Sequence, residues 1–137
     1  TVLDAVGVPA DAGRVSPSAR SLLRELPAGR AVLSEYHTVG SRAGVFMLRD
    51  AHTKYVHYCD HPPQLFDLDD DPGELRDIAA KAPERVRAWR ERLAEFCDPD
   101  EVDRRAKARQ AELIQRHGGD AAIRAGAGIG GYTPVVA

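Results

Sequence analysis

The chain has 137 residues, enough for one domain, or one domain with an extension, around a modest core. Its 43% hydrophobic and 29% charged residues are those of a globular chain, and 19 basic against 21 acidic residues leave a net charge of -2. That balance excludes a general electrostatic pull toward nucleic acid or an anionic membrane, and no apolar run approaches the roughly 20 residues that cross a bilayer, so neither partner is expected.

Val2, Leu3 and Val6 lie at helical spacing before Gly7 and Pro9, which reads as the last turns of a helix that begins upstream. Residues 10–15 are expected to form a loop. Ser16 as N-cap, Pro17 at the first helical position and Leu22, Leu23 and Leu26 then predict a short helix that Pro27 stops. Residues 30–36, 43–49, 53–59 and 64–68 carry the β-favourable runs, with a Gly-Ser loop at 39–42 and short links at 50–52 and 60–63. Links that short favour an antiparallel meander of four strands.

Helical character takes over after Asp71. Residues 75–80 predict a helical turn. Val86, Trp89, Leu93 and Phe96 recur every three or four residues, a stripe meant for one face of the sheet. Asp98, Pro99 and Glu101 make a capping signal for a second helix that runs to about His117 and stops at Gly118-Gly119. Its stripe is thin: Val102, Ala106, Leu113 and Ile114. Asp120 is placed to cap one more turn through Ile123, ahead of a Gly-rich segment and an apolar end. The fold class is therefore α+β: a four-stranded antiparallel sheet packed by an amphipathic helix, then a helical extension. The expected organisation is a connector at 1–30, a compact subdomain at 31–97 and the extension at 98–137.

Chemistry-bearing residues are sparse. Cys59 and Cys97 are too few for a disulfide framework, and a reducing cytoplasm is the expected compartment. His52, His57, Cys59 and His61 crowd within ten residues, and alternation puts His57, Cys59 and His61 on one strand face. Same-face neighbours on a strand stand about 6.6 Å apart, so one ion bridges only adjacent pairs, and an exposed polar strand end without metal is the preferred reading. Asp67, Asp69, Asp70, Asp71 and Glu74 suit a turn better than a calcium loop. The arginines of both helices alternate with acids, as on an ion-paired solvated face. Trp89 and Phe96 are expected in the core, and His117 suits a helix C-terminus. The glycines at 126–131 have neither a strand before nor a helix after them, so a dinucleotide loop is not expected there.

The order of segments resembles the C-terminal subdomain of the sulfatase family. Thr1-Val2-Leu3-Asp4-Ala5-Val6-Gly7-Val8-Pro9 is similar to "PT-x-LD-x-xG-x-P", and Arg20-Ser21-Leu22-Leu23 to "G-x-SL-x", with Ala19 where Gly is usual. Glu35-Tyr36-His37, followed by Gly44-Val45-Phe46-Met47-Leu48-Arg49, resembles the choline-sulfatase-like branch. Lys54-Tyr55, then Pro62-Pro63-Gln64-Leu65-Phe66-Asp67-Leu68 and Asp71-Pro72-Gly73-Glu74, resemble "KY" and "P-x-x-LFDL-x-x-DP-x-E".

That resemblance implies a parent enzyme of the alkaline phosphatase superfamily that hydrolyses sulfuric esters with a divalent, calcium-like metal and a formylglycine matured within "C/S-x-P-x-R". Cys59 and Cys97 do not stand in such a motif, so no catalytic or metal residue is assigned to this chain. The expected partners are an N-terminal catalytic domain and further copies of the parent enzyme. His37, Ser41 and Arg42 are the candidate residues at the substrate rim, Arg42 through an anionic group. The alternatives are a related phosphonate or phosphate monoester hydrolase and a non-enzymatic interaction module.

Overall fold

The computed structural model describes residues 1–9, 20–37 and 41–126. The calls on residues 10–17, on part of the 39–42 loop and on the Gly-rich end after Gly126 lie outside them.

Four strands form one antiparallel sheet in sequence order: β1 (Val32–Tyr36), β2 (Val45–Arg49), β3 (Thr53–Tyr58) and β4 (Gln64–Asp67). The expected meander is thus present, each strand ending one or two residues short of an expected end. Register explains the core. Leu33, Leu48, Tyr55 and Leu65 are successive partners, so one apolar row crosses all four strands on a single face. Glu35, Phe46 and His57 make the next row on that face. Phe46, Leu48, Tyr55 and Leu65 are fully buried there.

Helix α2 (Pro83–Ala94) covers this face with Trp89 and Leu93, and Val86 packs beside them. Pro83 starts the helix as expected. Arg92 ties its last turn to the sheet. The guanidinium lies 4.8 Å over the Trp89 ring, donates to Asp50 at 2.8 Å and reaches the Gly29 carbonyl. Phe96 departs from the expected stripe. The helix ends at Ala94, and the ring is 48% exposed instead of in the core.

Two other expected helical pieces differ. Over residues 20–26 the chain forms turns and no helix. The Leu22 N–H donates to Thr1 Oγ1 and that of Leu23 to Ser21 Oγ, and both leucines stay exposed, so no apolar surface rewards a helix. Residues 75–78 are also non-helical. Asp71 and Asp77 capture the N–H groups of Arg76 and Ala79, and only a 3-10 turn forms at Ala79–Lys81.

Helix α3 (Pro99–Arg116) starts at the expected cap. Asp98 accepts from the N–H groups of Asp100 and Glu101 at 3.1 and 3.2 Å. Its first turns lean on the sheet through Val102 and Asp103, and the remainder is largely exposed. Gly118 and Gly119 take positive φ and turn the chain into α4 (Gly119–Gly126). At the other end, α1 is the short Val2–Ala5. Among the described residues no helix is long and apolar enough to cross a membrane.

Candidate functional site

The segment that stands out in the sequence proves to be a clasp. Lys54 on β3 pairs with Glu74, and its ammonium lies 5.9 Å from the Phe66 ring on the neighbouring strand. Arg49 on β2 reaches the same carboxylate at 3.6 Å. Glu74 holds φ at +55°, a strained value for a non-glycine residue. Asp71 is buried and accepts from the Arg76 N–H at 2.7 Å. Asp77 accepts from the N–H groups of Leu65 and Ala79. The acidic run is thereby taken up by the turn: Asp67 pairs with Arg85 and Asp69 with His52.

The three expected rim residues meet beside α3. His37, Ser41 and Arg42 line a recess of about 10 Å3 with Asp103, Lys107 and Gln110, a nearly filled seam rather than an open pocket. The His37 ring is packed edge-on against Phe46, centroids 5.2 Å apart, and its Nε2 lies 3.3 Å from Glu35. The His37 carbonyl accepts from Gln110 at 2.8 Å. The Ser41 hydroxyl donates to the Ala43 carbonyl. Arg42 is exposed, and no acid pairs with it among the described residues.

Asp103 holds this seam together. It is 7% exposed, accepts from the Gly44 N–H at 2.6 Å and pairs with Lys107 at 2.7 Å. Burial opposes its charge, but the Lys107 and Gly44 hydrogen bonds prevail and hold the carboxyl below the usual range. Gly44 is required by close approach: a Cβ there would stand 2.9 Å from the His37 ring. Sequence reasoning missed Asp103, since a lone Asp in a charged helix gives no sign of the loop amide it meets.

Outside the seam, a wider groove of about 720 Å3 runs between Glu35 and His37 on one side and Val102, Arg105 and Arg109 of α3 on the other. Arg104 and Arg109 pair with Glu101 and Glu112, whereas Arg105 has no acidic partner among the described residues. Most arginines of α2 and α3 are ion-paired as expected, including Arg85, Arg87, Arg92 and Arg116.

The two cysteines do not suit a sulfuryl-transfer nucleophile. Burial pushes the Cys59 thiol up to about 11, with Asp103 and Asp100 adding to it. Cys97 is raised by burial and then by Glu35 and Asp98. Attack on a sulfate ester needs cationic groups at the developing charge, and these surroundings are acidic. Cys97 precedes Asp98-Pro99-Asp100-Glu101, with an acid where the maturation motif carries Arg. These residues do not fit formylglycine.

No family model matches the chain. Curated relatives do. Arylsulfatase K of Danio rerio is 39% identical over 93 residues, 61% of this chain and 18% of that protein. Arylsulfatase K of Homo sapiens is 48% identical over 56 residues, 39% of this chain and 10% of that protein. Among solved structures, a putative sulfatase from Bacteroides thetaiotaomicron superposes with a TM-score of 0.54 at 26% identity, over 78% of this chain and 24% of that one. A 2-O GAG sulfatase gives 0.53 at 26% identity over the same shares. The matches indicate a sulfatase C-terminal region, consistent with the alkaline phosphatase-like superfamily. The chain spans less than a fifth of the length of these curated relatives.

Proposed function

We propose that the chain is the C-terminal subdomain of a sulfuric ester hydrolase and contributes to that enzyme a rigid wall beside the substrate, not a reacting group. The single observation that carries this reading is the joint likeness, in sequence to arylsulfatase K and in fold to solved sulfatases. The reacting nucleophile and the divalent metal then belong to the partner domain of the parent enzyme. A sheet with one face covered by α2 and α3 suits this role. Its opposite face carries Val32, which is 45% exposed, and is the face we assign to that domain.

At the rim the structure favours unequal roles. The Ser41 hydroxyl and the His37 carbonyl hydrogen-bond within the fold and shape the seam. Arg42, with Arg105 across α3, supplies cationic character for an anionic ester. The neighbour described as a 2-O GAG sulfatase makes a sulfated sugar the favoured substrate class over a small choline-type ester.

The test is sulfate release by the whole enzyme from a 2-O-sulfated uronate disaccharide and from an aryl sulfate. Activity is expected, with Arg42→Ala and Arg105→Ala raising KM and leaving kcat near its original value. An intact, metal-loaded enzyme that releases no sulfate would sink the hydrolase reading. Unchanged KM in both variants would remove the rim role.

A further inference from the structure

The helix face of β3 carries Thr53, Tyr55 and His57, and Cys59 follows just past the strand end. Its amide is fixed by the Gly44 carbonyl at 3.1 Å. The Asp98 cap brings the first turn of α3 against this end of the sheet, and with it Asp100. One ligand atom each from His57, Cys59 and Asp100 then lies within 4.8 Å of the others. His61, the strand residue that alternation adds to this face, is exposed beside Asp60 instead.

Several observations set this cluster apart from chance proximity of polar groups. His57 is only 9% exposed, and its Nε2 is a buried polar atom with no hydrogen-bond partner. Such an atom costs stability unless something satisfies it. The other ring nitrogen, Nδ1, lies 3.4 Å from the Tyr55 hydroxyl; in the tautomer whose Nδ1–H donates to that oxygen, Nε2 keeps its lone pair for an ion. The Asp100 carboxylate has no ion pair or side-chain hydrogen bond among the described residues and is exposed, so it is free to swing inward. Asp103 and Asp60 add negative charge nearby, while Lys107 opposes it with its ammonium held by Asp103.

We propose that His57 Nε2, Cys59 Sγ and an Asp100 carboxylate oxygen bind a divalent zinc-type cation, with a fourth position open to solvent. A borderline-soft ion suits one nitrogen, one sulfur and one oxygen, and a hard ion such as calcium does not. Bond lengths of about 2.0–2.3 Å require ligand atoms about 3.3–3.8 Å apart, so three atoms now within 4.8 Å of one another close by up to roughly 1 Å on binding. On binding, the Cys59 S–H proton goes to solvent and the thiolate bonds the metal, so affinity rises with pH. The ion would pin the start of α3 to the end of β3. This site is independent of the sulfatase reading.

Titration of the 137-residue chain with zinc and with cobalt(II) tests it. One ion per chain is expected, with a thiolate-to-cobalt charge-transfer band that survives in Cys97→Ser and disappears in Cys59→Ser. His57→Ala and Asp100→Asn are each expected to weaken zinc binding by about 10-fold or more. Asp100→Asn is an exposed change that spares the core, so its outcome stands even where His57→Ala unfolds the chain. A cobalt spectrum with no thiolate band would overturn the proposal, as would equal zinc affinity in the parent chain, Cys59→Ser and Asp100→Asn.

Discussion

Helices α2 and α3 adjoin the same sheet and are held by different forces. Trp89 and Leu93 of α2 sit in the core cluster with Phe46, Leu48, Tyr55 and Leu65. The buried residue of α3 is a carboxylate, Asp103, and beyond its second turn the helix is covered mainly by ion pairs at three- and four-residue spacing. Apolar burial carries most of the attachment of α2, to which Arg92 and Arg85 add ion pairs with Asp50 and Asp67. Attachment of α3 rests on Val102 at the core edge, the Gly44 N–H to Asp103 bond and the Gln110 bond to the His37 carbonyl. The comparison shows how one chain builds a rigid subdomain and then adds an element whose docking is conditional.

The hardest test of the α2 side is Leu93→Ala. Leu93 is fully buried, and the change is expected to cost about 2–5 kcal/mol, read as a lower urea midpoint for the whole sheet. Gly44→Ala tests where the two regions meet. A Cβ 2.9 Å from the His37 ring forces the seam apart, with an expected loss of about 1–3 kcal/mol. Asp103→Ala leaves the Gly44 N–H without its acceptor and should cost about 1–3 kcal/mol. Its signature is local: faster amide exchange across α3 with β2 and β3 still protected. Equal loss of protection in the sheet would show that α3 is no separate unit.

Acid tests a charged tie of α2. Burial opposes the Asp50 charge, but Arg92 and the His52 and Thr53 N–H groups outweigh it and lower its carboxyl. The stability this brings is full above the ordinary carboxylate range and is lost as pH falls through the lowered value. Arg92→Ala is therefore expected to lower the melting temperature at neutral pH and to flatten its fall below pH ~4. The smallest effect has the opposite sign. Hydrogen bonding and then charge from Asp69 raise the exposed His52. Its contribution is full below the ordinary histidine range and lost as pH rises through the raised value. His52→Gln should trim the melting temperature slightly at pH 5 and leave it unchanged at pH 9.

Much of the fold was legible along the chain. The strands, their order, the stripe of α2 and the Asp98 cap all follow from periodicity or from a local side-chain preference. Two of the failures share a cause. Leu22 and Leu23 have helical spacing but no surface to pack on, and Phe96 lies past the end of its helix. In each case pattern implied burial, and burial depends on what stands opposite. His37, Ser41 and Arg42 do line one seam, where the Ser41 hydroxyl turns inward to the Ala43 carbonyl and Arg42 stays exposed.

Hydrophobic period, turn chemistry and capping residues thus decided the α+β architecture before any contact was known, because each acts within a few residues of chain. Only tertiary structure decided that Asp103 would reach Gly44, 59 residues away, and that Asp100 would stand beside His57 and Cys59. Such pairings depend on how a helix is laid across a sheet, and the energy that lays it there comes from the apolar residues of its neighbours, not from the carboxylates themselves.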